Sequence, residues 1–146
     1  MGLEMFRKIL DVAEAGDNIG VLLKNVPNRE VYKGFVLAAP NFMKTAISFT
    51  AKVYILSEKE GGRSKPFKSG YKPQFFFRVS NVTGAIILNS NKEKNKDEEE
   101  ELVMPGESLV IQVNLVEKAV INVGLRFVMR EGKKTIGAGT ILSIIE

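Results

Sequence analysis

The chain has 146 residues, of which 45% are hydrophobic and 26% charged, and a formal net charge of +4 at pH 7. It contains no cysteine and no histidine, which excludes disulfides and thiolate catalysis and removes the usual general base and the commonest metal ligand. We therefore expect no catalytic residues and no metal site. No apolar run approaches the roughly 20 residues that cross a bilayer as a helix, so no membrane partner is expected.

The first 40 residues carry a pattern of their own. Apolar residues recur at helical spacing near the start, so the pattern alone predicts a helix over residues 2–15. A turn at 16–18 then leads into the apolar run 19–23. Because about 40 residues cannot bury a self-sufficient core, this segment packs on the following domain, packs on a partner, or belongs to a larger unit. The residues at helical spacing are Leu3, Phe6, Leu10 and Ala13.

From about position 45 the pattern is typical of strands. Apolar residues alternate with a period of two, as in strands with one face in a core. Residues 131–134 (Glu-Gly-Lys-Lys) predict a hairpin loop between strands at 125–130 and 135–144. Short strands separated by Gly, Pro and Asn predict an antiparallel barrel or sandwich. The alternating segments are 47–55, 109–115 and 125–129, and further β-rich segments are 74–80 and 82–88.

The charges are unevenly distributed along the chain. Residues 61–78 include five basic residues and no acidic one, whereas 97–101 are five consecutive acids. Basic residues, apolar strand residues and glycines alternate in 61–78 and again in 126–140, which indicates a cationic barrel face. RNA is the polyanion that we expect there. The lysine- and glutamate-rich stretch 91–101 is interpreted as a solvated insertion loop.

The second part of the chain contains a series of short motifs. They are Gly61-Gly62-Arg63, Gly70-Tyr71-Lys72-Pro73-Gln74-Phe75, Val82-Thr83-Gly84, Val103-Met104-Pro105-Gly106, Arg130-Glu131-Gly132 with Thr135, and Gly137-Ala138-Gly139. This series resembles the C-terminal part of bacterial-type elongation factor Tu, and residues 2–8 and 15–23 resemble the second half of the middle domain of that family. The resemblance covers essentially the whole chain and is specific because the motifs occur in the family's order.

This resemblance implies an all-β fold with two parts. Residues 1–40 would be a partial middle-domain β-barrel, and residues 45–146 the C-terminal antiparallel β-barrel domain. It also implies that residues 3–10 form a strand, in place of the helix that their spacing predicts.

The implied function is binding of aminoacyl-tRNA, at its T-stem and acceptor end, for GTP-dependent delivery to the ribosomal A site. The sequence contains no Gly-x-x-x-x-Gly-Lys-Ser/Thr phosphate-binding motif, so we expect this chain to be no enzyme, although the family is a GTPase. GTP and magnesium would belong to a GTPase domain outside this chain. The implied partners are aminoacyl-tRNA, the ribosome, the GTPase domain of the same factor and the nucleotide-exchange factor, elongation factor Ts.

The resemblance also assigns tRNA-binding roles to individual residues. Arg63 matches a contact to the T-stem backbone, where a guanidinium fork suits a phosphate. Gln74 and Thr83 match positions that reach the same stem by side-chain hydrogen bonds. Gly132 matches a close backbone approach to the RNA, and Lys118 stands next to the position of a phosphate-facing lysine.

A second group of residues matches the pocket for the aminoacyl group and the 3′-terminal adenosine. These are Glu4, Phe6, Arg7 and Asn18. A carboxylate such as that of Glu4 accepts a hydrogen bond from a ribose hydroxyl. Ser64 departs from the family, which has a histidine beside the arginine.

Composition and the insertion also suggest a location. Lys (15), Ile (12) and Asn (10) outnumber Arg (6), a bias typical of AT-rich genomes, and the insertion before Val103 is similar to one in plastid members. We expect the plastid (chloroplast) stroma, with the bacterial cytoplasm as the alternative. Two other functions stay open: a stand-alone RNA- or ribosome-binding barrel without a GTPase domain, and an inert relic.

Overall fold

A computed structural model describes residues 2–88 and 101–145 of the chain. The described residues form eleven β-strands and two short 3-10 turns, and no α-helix is present among them. The predicted all-β fold is therefore confirmed. The chain divides into two compact units, Met1–Tyr32 and Lys33–Glu146. The predicted insertion loop 91–101 lies outside the described residues except for Glu101.

The first unit is a three-stranded antiparallel sheet. Its strands are β1 (Gly2–Met5), β2 (Lys8–Leu10) and β3 (Gly20–Leu22), in the order β2-β1-β3. None of residues 2–32 is buried. A sheet of this size without a covered face is marginal by itself.

The helix that spacing predicts over residues 2–15 is wrong. β1 and β2 form a hairpin whose turn residues, Phe6 and Arg7, both have positive φ angles, 50° and 65°. Two consecutive residues at positive φ suit a two-residue hairpin turn and cannot continue a right-handed helix. Leu3 pairs directly with Leu10 across the hairpin, so their shared face results from strand pairing. The segment 3–10 is thus two strands, where the resemblance implied one.

We expect limited proteolysis to remove the first unit before the second. Its residues lack a buried core, and large apolar side chains such as Phe6 and Ile9 are 88% and 89% exposed. Local opening of this unit therefore breaks few packing contacts and costs little free energy. Mass spectrometry of a trypsin time course would show early cleavage within residues 1–40 and a persistent C-terminal fragment. Resistance of residues 1–40 in the isolated chain would contradict this expectation.

The second unit contains a closed six-stranded antiparallel barrel in the order β10-β11-β4-β9-β7-β6, with β6 pairing back onto β10. A separate two-stranded ribbon is formed by β5 and β8. Closure leaves no free sheet edge in the barrel. The strands are β4 (Thr45–Ile55), β5 (Phe67–Lys68), β6 (Gln74–Phe77), β7 (Ser80–Ile87), β8 (Leu102–Val103), β9 (Ser108–Val120), β10 (Arg126–Glu131) and β11 (Lys134–Ile145).

The centre of the barrel is aromatic. Four phenylalanine rings lie with their centroids 5.6–6.2 Å apart, mostly in edge-to-face or tilted arrangements. They come from three different strands, because inward positions alternate along each strand. The predicted alternation is therefore confirmed for most of its apolar residues. The four rings belong to Phe49, Phe75, Phe77 and Phe127.

Ile47 is an exception to the predicted alternation. The β4–β9 register shifts between Ala46 and Ser48, where β9 contains extra residues, and Ile47 is 42% exposed. A bulge of this kind changes the side to which a residue points. In the described ranges, 2–88 and 101–145, no helix is long and apolar enough to cross a membrane.

Candidate functional site

Three polar side chains form a row across neighbouring strands of the barrel. Gln74 on β6 pairs with Thr83 on β7 and with Arg130 on β10. Each alternates with buried neighbours, for example Phe75 and Met129, so all three point outward. The register of the sheet thus assembles a continuous row of hydrogen-bonding groups from residues that are distant in sequence.

The predicted hairpin loop closes one end of this row. β10 and β11 pair as far as Glu131 and Lys134, which leaves Gly132 and Lys133 as a two-residue turn. Gly132 has a φ angle of 59° and open space where a Cβ would stand. The Arg130 side chain donates from Nη2 to the Lys133 carbonyl oxygen at 2.9 Å. The turn therefore presents bare backbone beside the row, as the close approach expected at Gly132 requires.

Arg63 reaches this end of the barrel from the loop that follows β4. Its Nη1 donates to both carboxylate oxygens of Glu131 at 2.8 Å and to the Tyr71 hydroxyl at 2.9 Å. The Arg63 side chain is only 16% exposed, whereas that of Glu131 is 51% exposed. Arg63 is thereby fixed next to the Gly132 turn. The structure thus brings together four of the predicted residues, and we call them the barrel-end cluster: Arg63, Gln74, Thr83 and Gly132.

Arg130 adds an unsatisfied donor to the row. Its Nε is the one buried side-chain nitrogen or oxygen among the described residues that lacks a hydrogen-bond partner. Its guanidinium lies over the Phe76 ring, with 5.5 Å between Cζ and the ring centroid. A buried donor without an acceptor is unfavourable in the free protein.

Comparison with known families agrees with this geometry. The family model of the elongation factor Tu C-terminal domain matches residues 42–145. The chain belongs to this family. The match covers strands β4 to β11 and therefore the whole barrel-end cluster, so the chain carries a domain of a translation elongation factor. The elongation factor Tu C-terminal domain is not itself the catalytic part of that GTPase. The middle-domain assignment of residues 1–40 lies outside the match and stays a prediction.

Lys118 lies on β9, one strand beyond Thr83 of the barrel-end cluster of this elongation factor Tu domain. It is exposed, in the irregular stretch that faces the Ile47 bulge. Pairing between β7 and β9 ends at Gly84 and Leu115, three residues before Lys118. The sheet order therefore places Lys118 on the strand next to the row, and its role stays a prediction.

The residues predicted for the aminoacyl and adenosine pocket all lie in the first unit. Glu4 is exposed on β1 and pairs with Gly20 on β3. Phe6 and Arg7 form the β1–β2 turn, and Asn18 lies in the loop just before β3. Since β3 runs antiparallel to β1, the register places Asn18 at the same end of the sheet as the turn. The four residues therefore share one end of this small sheet.

The outer face of the elongation factor Tu barrel also carries a groove of about 610 Å³. It crosses β4, β6, β10 and β11. Arg78 and Arg126 come from the two segments that predicted a cationic face, whereas Lys52 joins them only through closure of the barrel. The charged side chains in its lining are all basic, and two aromatic rings accompany them. These residues are Lys52, Arg78 and Arg126, with Tyr54 and Phe76.

Two residues that hold Arg63 in place were not predicted to belong to the site. Tyr71 and Glu131 both fall within motifs of the elongation factor Tu series, yet no role was assigned to either. Their importance lies in contacts to Arg63 that span 8 and 68 positions along the chain. One signal in the sequence pointed to Glu131, because this residue directly precedes the predicted turn glycine.

Proposed function

We propose that this chain is the RNA-holding C-terminal portion of an elongation factor Tu, which binds the T-stem of aminoacyl-tRNA for GTP-dependent delivery to the ribosomal A site. The observation that carries the proposal is the barrel-end cluster. Within a domain of this family, a guanidinium, two side-chain hydrogen-bonding groups and a bare glycine turn converge at one end of the barrel.

The chemistry of the cluster suits the backbone of an A-form helix. A cation and neutral hydrogen-bonding groups bind phosphates and 2′-hydroxyls without reading base edges, as a factor that serves many tRNAs needs. Exposed lysines surround the cluster and supply long-range attraction to RNA. They are Lys65, Lys72, Lys133 and Lys134.

The remaining partners are proposed from the family. The end of the first unit that holds Glu4 and Asn18 would receive the acceptor end of the tRNA once the middle barrel is complete. A GTPase domain outside this chain would supply GTP, magnesium and catalysis, and the ribosome and elongation factor Ts would be further partners. The basic and aromatic lining of the outer groove supports docking of a protein partner such as the GTPase domain. The composition supports the plastid stroma as the location.

The test is binding of aminoacyl-tRNA to the chain by filter binding or calorimetry at 50 and 200 mM salt. We expect affinity to fall steeply with salt, because phosphate contacts release counterions. Arg63→Ala should weaken binding about tenfold at low salt, the effect of losing one hydrogen bond to a charged group.

Arg126→Ala is the matched control for this measurement. It removes the same charge from the same barrel, at the far end of β10 from Arg130, and we expect little change in RNA affinity. Equal losses of RNA affinity in both variants would show that the chain attracts RNA only by non-specific charge. Absence of binding at 50 mM salt would contradict the proposed function and favour an inert relic.

A further inference from the structure

The Arg63 side chain is held in a cage built by its own domain. The Tyr71 ring lies under the guanidinium, with 4.6 Å between Arg63 Cζ and the ring centroid. Phe67 stacks on Tyr71, with 4.8 Å between the ring centroids and an interplanar angle of 29°. Because Phe67 is 5% exposed and belongs to the core, the stack connects Arg63 to the interior of the barrel.

Hydrogen bonds complete the cage along two edges of the guanidinium. Nε donates to the Lys65 carbonyl oxygen at 3.2 Å. Nη1 is shared between the Glu131 carboxylate and the Tyr71 hydroxyl. These contacts use Nε and Nη1, so Nη2 is the guanidinium nitrogen that they leave for a ligand.

Tyr71 suits this role for chemical reasons. Its hydroxyl is neutral at physiological pH, as that of an ordinary tyrosine is, and burial raises its pKa further. Its oxygen therefore accepts the Arg63 hydrogen bond without forming an ion pair. Its ring face attracts the cation, and the contact is strengthened by partial burial. Tyr71 therefore orients Arg63 without neutralising it, whereas the Glu131 carboxylate pairs with Nη1 and offsets part of the positive charge.

We propose that Tyr71 is a positioning residue, which holds Arg63 in a single conformation so that its Nη2 edge meets one phosphodiester group of the RNA backbone. A free arginine loses rotamer freedom when it binds, whereas a caged one has lost it on folding. The proposal rests on the RNA-binding function proposed above and states how the Arg63 side chain is preorganised for its contact with a phosphate.

The test is a double-mutant cycle on aminoacyl-tRNA affinity at low salt. Tyr71→Leu removes the ring and the hydroxyl, and we expect about fivefold weaker binding because Arg63 is no longer preorganised. Tyr71→Phe keeps the stacked ring and should lose about twofold or less. Combined with Arg63→Ala, Tyr71→Leu should cause no further loss. Phe42→Leu is the control, because it also removes an aromatic ring, Phe42 is 78% exposed, and it belongs to none of the predicted sites.

A second readout separates positioning from general destabilisation. In the wild type the Arg63 Nε–H should give a sharp, slowly exchanging NMR signal, which Tyr71→Leu broadens and Tyr71→Phe retains. The melting temperature of each variant is recorded alongside, and if Tyr71→Leu fails to fold, Tyr71→Met takes its place, because it also removes the ring and the hydroxyl but has a longer and more adaptable side chain. An Arg63 signal that is already broad in the wild type would overturn the proposal.

The two proposals fail in different ways. If Arg63→Ala leaves tRNA affinity unchanged, the proposed RNA contact itself is wrong. If Arg63→Ala weakens binding but the Tyr71→Leu loss is absent, or adds fully to that of Arg63→Ala, the RNA function stands and the positioning role is overturned.

Discussion

We expect the Phe49→Ala variant to lose about 3–5 kcal/mol of the free energy of unfolding. Phe49 has no exposed surface, and its ring meets three other phenylalanine rings at 5.7–6.1 Å. Removing it leaves a cavity at the point where β4, β6 and β10 face one another. Because those strands are closed into a barrel, they cannot easily collapse into the space.

Urea unfolding followed by circular dichroism measures this loss. Phe42→Ala is the matched control, since Phe42 is 78% exposed and its replacement should change stability by no more than about 0.5 kcal/mol. Phe49→Leu, which retains most of the volume, should cost about 1.5 kcal/mol or less and serves if the alanine variant does not fold. Equal stabilities for Phe49→Ala and Phe42→Ala would contradict the assigned core.

The second large effect is expected from Gly62→Ala, which should both destabilise the barrel and weaken RNA binding. A Cβ at this buried position would lie 2.2 Å from the Leu56 carbonyl oxygen. The Gly62 amide also donates to the Ser57 carbonyl oxygen at 2.9 Å. This hydrogen bond holds the loop at residue 62 close to the segment that follows β4. Relief of the clash requires backbone movement, with a cost of about 1–3 kcal/mol. Arg63 is the next residue and would leave its cage.

Gly61→Asn provides the control for this effect. Gly61 has a φ angle of 86° and open space at its Cβ position, and asparagine tolerates that conformation better than other side chains. We expect Gly61→Asn to retain tRNA affinity close to wild type, while Gly62→Ala loses about as much as Arg63→Ala, roughly tenfold. Melting temperature and tRNA affinity are measured on both variants. Full affinity in Gly62→Ala would show that Arg63 does not depend on this loop.

Strand positions in the barrel were predictable from the sequence because each depends on a local rule. Alternation places Phe49, Phe127 and Met129 inside, and the glycine at 132 marks the hairpin turn that the structure contains. The same reasoning failed at residues 2–15, where the apolar spacing fits a helix. Hydrophobic periodicity does not report backbone angles or strand pairing. It therefore could not show the positive φ angles of Phe6 and Arg7 or the pairing of β1 with β3.

The candidate site was predictable residue by residue only through the family resemblance. Gln74 and Thr83, taken alone, are ordinary polar residues, and their adjacency follows from the pairing of β6 and β7. The roles of Tyr71 and Glu131 could not be predicted, because they depend on where the loop after β4 meets the β10–β11 turn. The displacement of Ile47 likewise depends on extra residues in β9.

By itself, then, the sequence determined the fold class, the inward and outward positions along three of the six barrel strands, and the absence of cysteine and histidine side chains. Those features follow from covalent geometry, side-chain polarity and composition, which act over a few residues. Only the tertiary structure decided that Arg63 is caged by Tyr71 and Glu131, that Ile47 is exposed, and that Lys52 joins Arg78 and Arg126 in one groove. Such features depend on barrel closure, which brings distant segments to contact distance and which no local pattern encodes.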